Sequence, residues 1–176
     1  MRKLILQLAV SLDGFIEGPN GEYDWCFTDQ DYGMTDFFKS INGVFYGRKS
    51  YELANSMNVS NEDAAFPDLP KLKEYVFSTT LQQVKPGAVL IKDNVEAEVR
   101  RIKSESGKNI WLYGGASLTT SLLNLQLVDE ISLAVHPIIL GAGKPLFQQI
   151  KKRLSLNLID NKSYSSGLVA LTYSLR

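Results

Sequence analysis

Two adjacent glycines between an apolar run and a helical segment constrain this fold more than any other feature of the sequence. Residues 109–112 predict a buried strand, and residues 117–124 predict a helix. Gly114 and Gly115 lie between them. The first turn of a helix exposes unpaired backbone N–H groups at the positive end of its dipole, and glycines let an anion approach that backbone closely. The pair therefore indicates either a phosphate site or a plain strand–helix connection.

Apolar runs alternate with helical patterns along most of the chain, and the last third contains strands alone. Strands are predicted at residues 4–10, 44–46, 74–77, 88–91, 110–113, 128–135, 155–159 and 168–175. Helices are predicted at residues 34–41, 47–57, 95–106 and 117–124. Asn42 and Gly43 are expected to end the first helix. Residues 11–23 predict a long mobile loop, and residues 58–70 predict an exposed connection.

This order of elements predicts one α/β domain that comprises residues 1–176. Its central sheet is expected to be mixed but mostly parallel, because strands and helices alternate over most of its length. Helices are expected on both faces of the sheet, since residues 4–10 form a nearly continuous apolar run. The final strands have no helix between them and predict a C-terminal antiparallel hairpin.

Composition is that of a soluble globular protein and argues against several classes of function. Hydrophobic residues make up 44% of the 176 residues, and 19 basic residues balance 19 acidic ones. Zero net charge argues against nucleic acid as a partner, and no apolar run reaches the roughly 20 residues that cross a membrane. The single cysteine, Cys26, excludes an intramolecular disulfide and a cysteine-based zinc site. Without an evident signal peptide, we expect a cytoplasmic protein that binds no metal.

Three predicted strands end in residues that suit a nucleotide. Residues 47–50 combine a glycine, two cations and a serine, residues 78–80 carry three hydroxyls, and residues 114–115 are the two glycines. Ligands of open α/β sheets bind at the carboxyl ends of strands, so the three segments together indicate a dinucleotide. Taken singly, each is also typical of an ordinary helix start or polar turn. The Rossmann glycine fingerprint is absent after the first strand.

Five segments, in this order, resemble proteins with a dihydrofolate reductase-like fold. The resemblance is greatest to the reductase domain of bifunctional riboflavin-biosynthesis deaminase-reductases and to its stand-alone relatives. The matching segments are AVSLDGFI at residues 9–16, GRKSYE at 47–52, VFST at 76–79, YGGASL at 113–118, and VDE at 128–130 leading to PIILGAGKPLF at 137–147. They cover most of the chain, and the last of them is highly specific.

The resemblance implies NADPH as the cofactor, bound across the sheet. Residues 47–50 and 114–118 would lie near the pyrophosphate. Residues 78–79, with a cation from residues 48–49, would lie near the adenosine 2′-phosphate. The implied cofactor-binding residues are Ala9, Ile16, Gly47, Arg48, Lys49, Ser50, Ser78, Thr79, Gly114, Gly115, Ala116, Ser117 and Leu118.

The resemblance also places the reacting end of the cofactor. Ala9 and Ile16 would border the nicotinamide ring. Residues 11–23, called the flap below, would correspond to a mobile segment that closes over this ring and excludes water during hydride transfer.

A carboxylic acid that protonates the substrate nitrogen would assist hydride transfer to a C=N bond. Dihydrofolate reductases carry such an acid on the first helix, and by this resemblance Asp31 is the first candidate, with Asp29 and Asp36 as alternatives. Asp13, in the shared SLDG segment, is expected either to contact a polar substrate or to stabilise its loop. Helix capping or plain solvent exposure is the other interpretation of the first three. The only histidine, His136, is expected to be structural or at an interface.

Three aromatic side chains are expected to line a substrate cleft and to stack on a flat heterocycle: Trp25, Phe37 and Phe38. Core packing is the alternative for the two phenylalanines. The resemblance implies an NADPH-dependent reductase that transfers hydride to a pterin or pyrimidine-derived substrate, as dihydrofolate reductase or 5-amino-6-(5-phosphoribosylamino)uracil reductase does. A non-catalytic NADP(H)-binding module and a flavin-binding oxidoreductase are the alternatives. A homodimer is expected.

Overall fold

The N-terminal apolar run forms β1 (Leu4–Ser11), an inner strand of the eight-stranded sheet in the computed structural model of the chain. The structure describes residues 1–57 and 71–176, so the connection predicted at residues 58–70 lies outside the described residues. The other strands are β2 (Phe15–Glu17), β3 (Ile41–Gly47), β4 (Lys73–Phe77), β5 (Val89–Ile91), β6 (Asn109–Gly114), β7 (Glu130–His136), β8 (Lys144–Pro145), β9 (Leu156–Ser163) and β10 (Val169–Leu175). The helices are α1 (Met34–Ser40), α2 (Arg48–Met57), α3 (Val95–Ser104) and α4 (Ala116–Asn124).

The strand order β5-β4-β3-β6-β1-β7-β10-β9 places β3, β6 and β1 side by side. These three strands run parallel, whereas β10 is antiparallel to both β7 and β9. The mixed, mostly parallel sheet and the C-terminal antiparallel hairpin are therefore confirmed. Because the carboxyl ends of parallel strands meet at one edge, Gly47, Gly114 and Ser11 lie along the same edge of the sheet.

Both faces of the sheet are covered by helices, as predicted. On one face, the buried side chains of Ile110 and Leu112 belong to the same apolar cluster as Leu122 of α4. On the other face, Trp111 packs against Phe38 of α1, with 5.7 Å between ring centroids. The alternation along β6 follows from the two-residue period of a strand. No helix within the described ranges is long and apolar enough to cross a membrane.

The first helix ends earlier than the sequence predicts. Helix α1 stops at Ser40, and Ile41 is already extended at φ −118° and begins β3. Asn42 and Gly43, expected to end the helix, therefore lie within a strand. A Cβ on Gly43 would lie 2.9 Å from the Nη2 atom of Arg2, so the glycine makes room for a buried guanidinium. This tertiary contact accounts for a glycine that resembles a helix stop in the sequence.

Candidate cofactor and active site

The ends of β3 and β6 touch through their backbones. A Cβ on Gly47 would lie 3.5 Å from the carbonyl oxygen of Gly114 and 3.6 Å from the nitrogen of Gly115. Helix α2 begins directly after Gly47, and α4 begins directly after Gly115. Two helix starts, each with unpaired N–H groups, therefore lie next to each other at the edge of the sheet.

The Gly114–Gly115 pair, called the glycine turn below, is bordered by two hydroxyls. Gly114 has φ +108°, a conformation that side chains other than glycine rarely adopt, and its peptide bond to Gly115 is cis. Thr119 is 1% exposed, and its Oγ1 has no hydrogen-bond partner among the described residues. This atom lies 3.7 Å from where a Cβ on Gly114 would stand, and Ser50 Oγ lies 3.4 Å from where one on Gly115 would stand. A buried unpaired hydroxyl beside a bare backbone fits a diphosphate group.

The three predicted cofactor-binding residues after the glycine turn differ in how far their side chains are exposed. Ala116 is buried in the first turn of α4, and Leu118 packs against the apolar core. Ser117 is exposed between them. Their assignment to the cofactor stays a prediction.

The residues predicted at the 2′-phosphate already have local partners or are exposed. Arg48 Nη1 lies 3.2 Å from Glu52 Oε1, one helical turn further along α2. Lys49 and Thr79 are exposed. Ser78 Oγ accepts hydrogen bonds from the backbone N–H groups of residues 80 and 81. A ligand phosphate would have to draw Arg48 and Ser78 away from these contacts, and the 2′-phosphate assignment stays a prediction.

The flap is attached to residues 138–146, called the support segment below. Strand β2, which contains Ile16, pairs antiparallel with β8, and Leu146 N–H donates to the carbonyl oxygen of Gly14 at 2.9 Å. Leu12 N–H donates to the carbonyl oxygen of Ile138 at 2.8 Å. Two segments that the sequence identified separately therefore form one structural unit beside the end of β1.

Asp13 links the flap to the support segment through hydrogen bonds. Its carboxylate accepts hydrogen bonds from Ser11 Oγ at 2.7 Å and from the N–H groups of Gly141 and Leu140 at 2.8 and 3.2 Å. The Ser11 hydroxyl, followed by the backbone N–H groups, lowers the pKa of Asp13. These contacts are those of an ionised residue that stabilises its loop, and its other predicted role, contact with a polar substrate, stays a prediction.

Lys144 of β8 lies beside the glycine turn, and the sequence patterns did not single it out. Its Nζ lies 4.0 Å from the position of a Cβ on Gly115 and 3.1 Å from Glu17 Oε1 in the flap. The only sequence signal was its place in the GAGKPLF segment, because nothing local indicates which strand end a lysine side chain will reach.

The carboxylates predicted to supply the proton lie at the surface. Asp31 accepts hydrogen bonds from the N–H groups of Gly33 at 3.0 Å and Thr35 at 2.9 Å, in the first turn of α1. The Thr35 hydroxyl, followed by these N–H groups, lowers the pKa of Asp31. The Asp36 side chain is 91% exposed, and Asp29 accepts from a tyrosine hydroxyl. The acid assignment stays a prediction, but Asp31, two residues before the N-cap Gly33, accepts N–H groups at the start of α1 and so stabilises the helix start.

Aromatic rings cover one face of the sheet beside this edge. Phe37 and Phe38 both pack against Trp111 at 5.7 Å, and Trp111 contacts Tyr113 at 4.9 Å. Burial, followed by nearby Tyr23 and Cys26, raises the pKa of Tyr113, so its phenol is protonated at neutral pH. The two phenylalanines thus pack on the sheet, as the core-packing alternative predicted, and their stacking on a substrate stays a prediction.

Comparison with known proteins assigns this arrangement to a family. The family model of the RibD C-terminal domain matches residues 2–170. The chain belongs to the RibD C-terminal domain family. Uncharacterized protein YyaP of Bacillus subtilis (strain 168) is 48% identical over 180 residues, which cover 98% of this chain and 94% of YyaP.

Solved structures show that this RibD-type chain has a dihydrofolate reductase-like fold. A Shewanella sp. PV-4 protein assigned to riboflavin biosynthesis matches with a TM-score of 0.83 at 24% identity over 99% of both chains. A Thermotoga maritima deaminase/5-amino-6-(5-phosphoribosylamino)uracil reductase gives 0.73 at 14% identity, over 99% of this chain and 57% of that one. Dihydrofolate reductase of Enterococcus faecalis, complexed with NADP(H), gives 0.65 at 15% identity, over 99% and 96%. Family and fold together support a reductase.

Comparing D31A with D31N tests whether Asp31 in this RibD-type chain stabilises the start of α1 or acts as a proton-donating acid. D31A is expected to lower the free energy of unfolding by about 1 kcal/mol, because α1 loses hydrogen bonds to its first turn. D31N keeps an oxygen that can accept the Thr35 N–H but cannot donate a carboxylic proton, so its unfolding midpoint in urea, and any NADPH-oxidising activity, should match those of the unsubstituted protein. A D31N protein that folds normally but has lost its turnover would show that Asp31 is the acid.

His136, at the end of β7, joins the segment after the flap to the sheet. The side chain is 2% exposed, and its Nε2 accepts a hydrogen bond from Phe27 N–H at 3.1 Å. Nδ1 therefore carries the proton of the neutral ring and faces the carbonyl oxygen of Ala134 at 3.0 Å. The Trp25 ring stands edge-on to the imidazole, with 5.3 Å between centroids. His136 has the structural role that the sequence predicted, and Trp25 lies against it.

Acid is expected to weaken this attachment. Burial lowers the pKa of His136 below its ordinary 6.5, so its contribution to stability is present above pH 6.5 and is lost as the pH falls through the depressed value. The melting temperature should therefore decrease more between pH 6.5 and about pH 5 than it does in H136Q, whose side chain does not titrate. Equal decreases in the two proteins would contradict the assignment.

Proposed function

We propose that this protein is an NADPH-dependent reductase that delivers hydride to a C=N bond of a pterin or pyrimidine-derived heterocycle. The observation that carries the proposal is the contact of two helix starts at Gly47 and Gly115, with the buried, unpaired Thr119 hydroxyl beside them. Membership of the RibD C-terminal domain family and a fold shared with a dihydrofolate reductase complexed with NADP(H) support it.

In the proposed reaction a bound dinucleotide would supply the hydride, solvent would supply the proton that the substrate nitrogen takes up, and the chain would supply position and electrostatics. The glycine turn and Ser50 would hold the diphosphate through N–H and hydroxyl donors. Ala9 on β1 and Ile16 in the flap would border the reacting ring. The flap, held by Asp13, would exclude water from that ring. We assign Asp13 and Asp31 positioning roles, in which they fix the flap and the start of α1.

The experiment that tests this function has two stages. Calorimetry with NADPH and NADH should give saturable binding that is tighter for NADPH if residues 48–49 recognise the 2′-phosphate. Spectrophotometry should then show NADPH oxidation with dihydrofolate or with 5-amino-6-(5-phosphoribosylamino)uracil. Absence of dinucleotide binding would refute the function, and a purified protein with a flavin spectrum would favour the flavin-dependent alternative.

One observation favours a non-catalytic NADP(H)-binding module as the second candidate. Asp13, Asp29, Asp31 and Asp36 are all exposed, so none of these four candidate acids lies in the kind of apolar cleft that keeps a carboxylic acid protonated. A module of this kind would bind NADPH and leave it unoxidised with every heterocycle tested. The oxidation assay therefore separates the two candidates.

We also propose that the protein is a homodimer. Strand β9 is an edge of the main sheet, and Leu158 and Ile159 on it are 51% and 52% exposed. An edge strand with exposed apolar side chains is a surface that a second copy can cover. Light scattering should give twice the mass of one chain, and a monomeric mass at working concentration would contradict this.

A further inference from the structure

Building on the proposed function, we infer that Lys144 is a further cofactor-binding residue, whose ammonium group binds the diphosphate of the ligand at the glycine turn. It belongs to β8, outside the main sheet, and reaches the turn from the side of the flap. It thereby links recognition of the cofactor's phosphates to the position of the flap.

The position of Lys144 carries the inference. Its Nζ lies 4.0 Å from the place of a Cβ on Gly115, and Ser50 Oγ lies 3.4 Å from the same point. An ammonium, a hydroxyl and a bare backbone therefore border one space next to the start of α4. All three can donate hydrogen bonds to an anion.

The buried hydroxyl of Thr119 independently indicates a ligand here. Its Oγ1 has no partner within the described part of the chain, although the residue is 1% exposed. Buried polar atoms in proteins are nearly always paired, so an unpaired one facing the glycine turn indicates a group that binds there. Arg48, at the neighbouring helix start, is paired with Glu52 on its own helix, and Lys144, itself paired with Glu17, lies beside the turn.

Lys144 is held by a contact that a ligand can replace. Its Nζ lies 3.1 Å from Glu17 Oε1, and the two side chains are 34% and 36% exposed. Ion pairs with this much exposure contribute little to stability, so the ammonium can turn toward a diphosphate at small cost. Glu17 lies at the end of β2 in the flap, and its negative charge competes with the ligand for Lys144.

Four variants test this inference by calorimetry with NADPH and NADH. K144M should weaken binding of both dinucleotides by the same factor, about tenfold, because both carry the diphosphate. K144R keeps the charge and should restore most of the affinity. The exposed Lys151 provides the matched control, and K151M should bind normally. E17Q removes the competing charge and should tighten binding about threefold.

Two further measurements exclude a merely structural role. The dependence of NADPH affinity on salt should be weaker in K144M than in K151M, because one charge contact with the ligand is missing. Inorganic diphosphate should raise the melting temperature of the unsubstituted protein but not that of K144M. The melting temperatures of all variants without ligand should agree.

The outcomes separate this inference from the proposed function. If K144M binds both dinucleotides normally, the inference is wrong and the cofactor assignment stands. If K144M weakens NADPH alone, Lys144 contacts the 2′-phosphate and the inference is also wrong. If no dinucleotide binds but diphosphate still protects in a Lys144-dependent way, the anion site is supported and the proposed cofactor is refuted.

Discussion

Replacing Gly143 with alanine is expected to lower the rate of NADPH oxidation by about 100-fold, because displacement of a catalytic element by about 1 Å has effects of this size. A Cβ on Gly143 would collide with the carbonyl oxygen of Glu17 in the flap. Its φ of +147° is also unfavourable for alanine. Strand β2 has three residues and β8 has two, so the few hydrogen bonds between them should break before the main sheet is disturbed. Stopped-flow turnover and limited proteolysis of the flap would measure the effect.

Gly141 provides the matched control for this substitution. It also has a positive φ, +73°, but a Cβ there would meet nothing within 4 Å. G141A should therefore show a small loss of stability from backbone strain and keep most of its activity. If G143A turns over as fast as G141A, the contact between the flap and the support segment does not matter for the reaction.

Replacing Gly115 with alanine is expected to weaken NADPH binding about 30-fold through loss of hydrogen bonds to a charged group. Its φ of −79° and ψ of −163° are open to alanine, so the fold should tolerate the change. The added methyl group would stand 3.4 Å from Ser50 Oγ, in the space assigned to the diphosphate. The free energy of unfolding should remain unchanged while calorimetry reports the loss of affinity.

G87A should show the opposite behaviour. Gly87 has φ +91° and open space around its Cβ position, and it lies in a turn before β5. Alanine there should lower stability through backbone strain and leave NADPH affinity unchanged. Equal affinities of G115A and G87A would place the diphosphate somewhere other than the glycine turn.

Features that depend on neighbouring residues were predictable from the sequence. The apolar run of β1, the glycine turn and the start of α4 at Ala116 follow from local patterns, and the structure has them within one or two residues. The contacts of Asp31 at the start of α1 also had a local signal, since an acidic side chain just before a helical pattern is typical of a helix start. Residues 9–16 and residues 137–147 each resemble the family, but the sequence does not predict that the two segments contact each other.

Features that depend on distant partners were not predictable. Position 43 in β3 is a glycine because Arg2, far away in the sequence, occupies the space where a Cβ would stand. Lys144 reaches the glycine turn only because β8 pairs with β2, whose partner residues lie more than 120 positions apart. Local patterns contain no information about such pairings, since register between distant segments is decided by the packing of the whole sheet.

The hydrogen bonds between the flap and the support segment limit how segments can be exchanged between proteins of this kind. The flap leaves from the end of β1, and the support segment leaves from the end of its hydrogen-bonded neighbour β7. If the flap moves away from the sheet, the chain must therefore bend after both β1 and β7, and the two segments move together as a two-stranded ribbon. A chimera that takes its flap from YyaP should keep the hydrogen bonds of the flap only when the support segment of YyaP is transplanted with it.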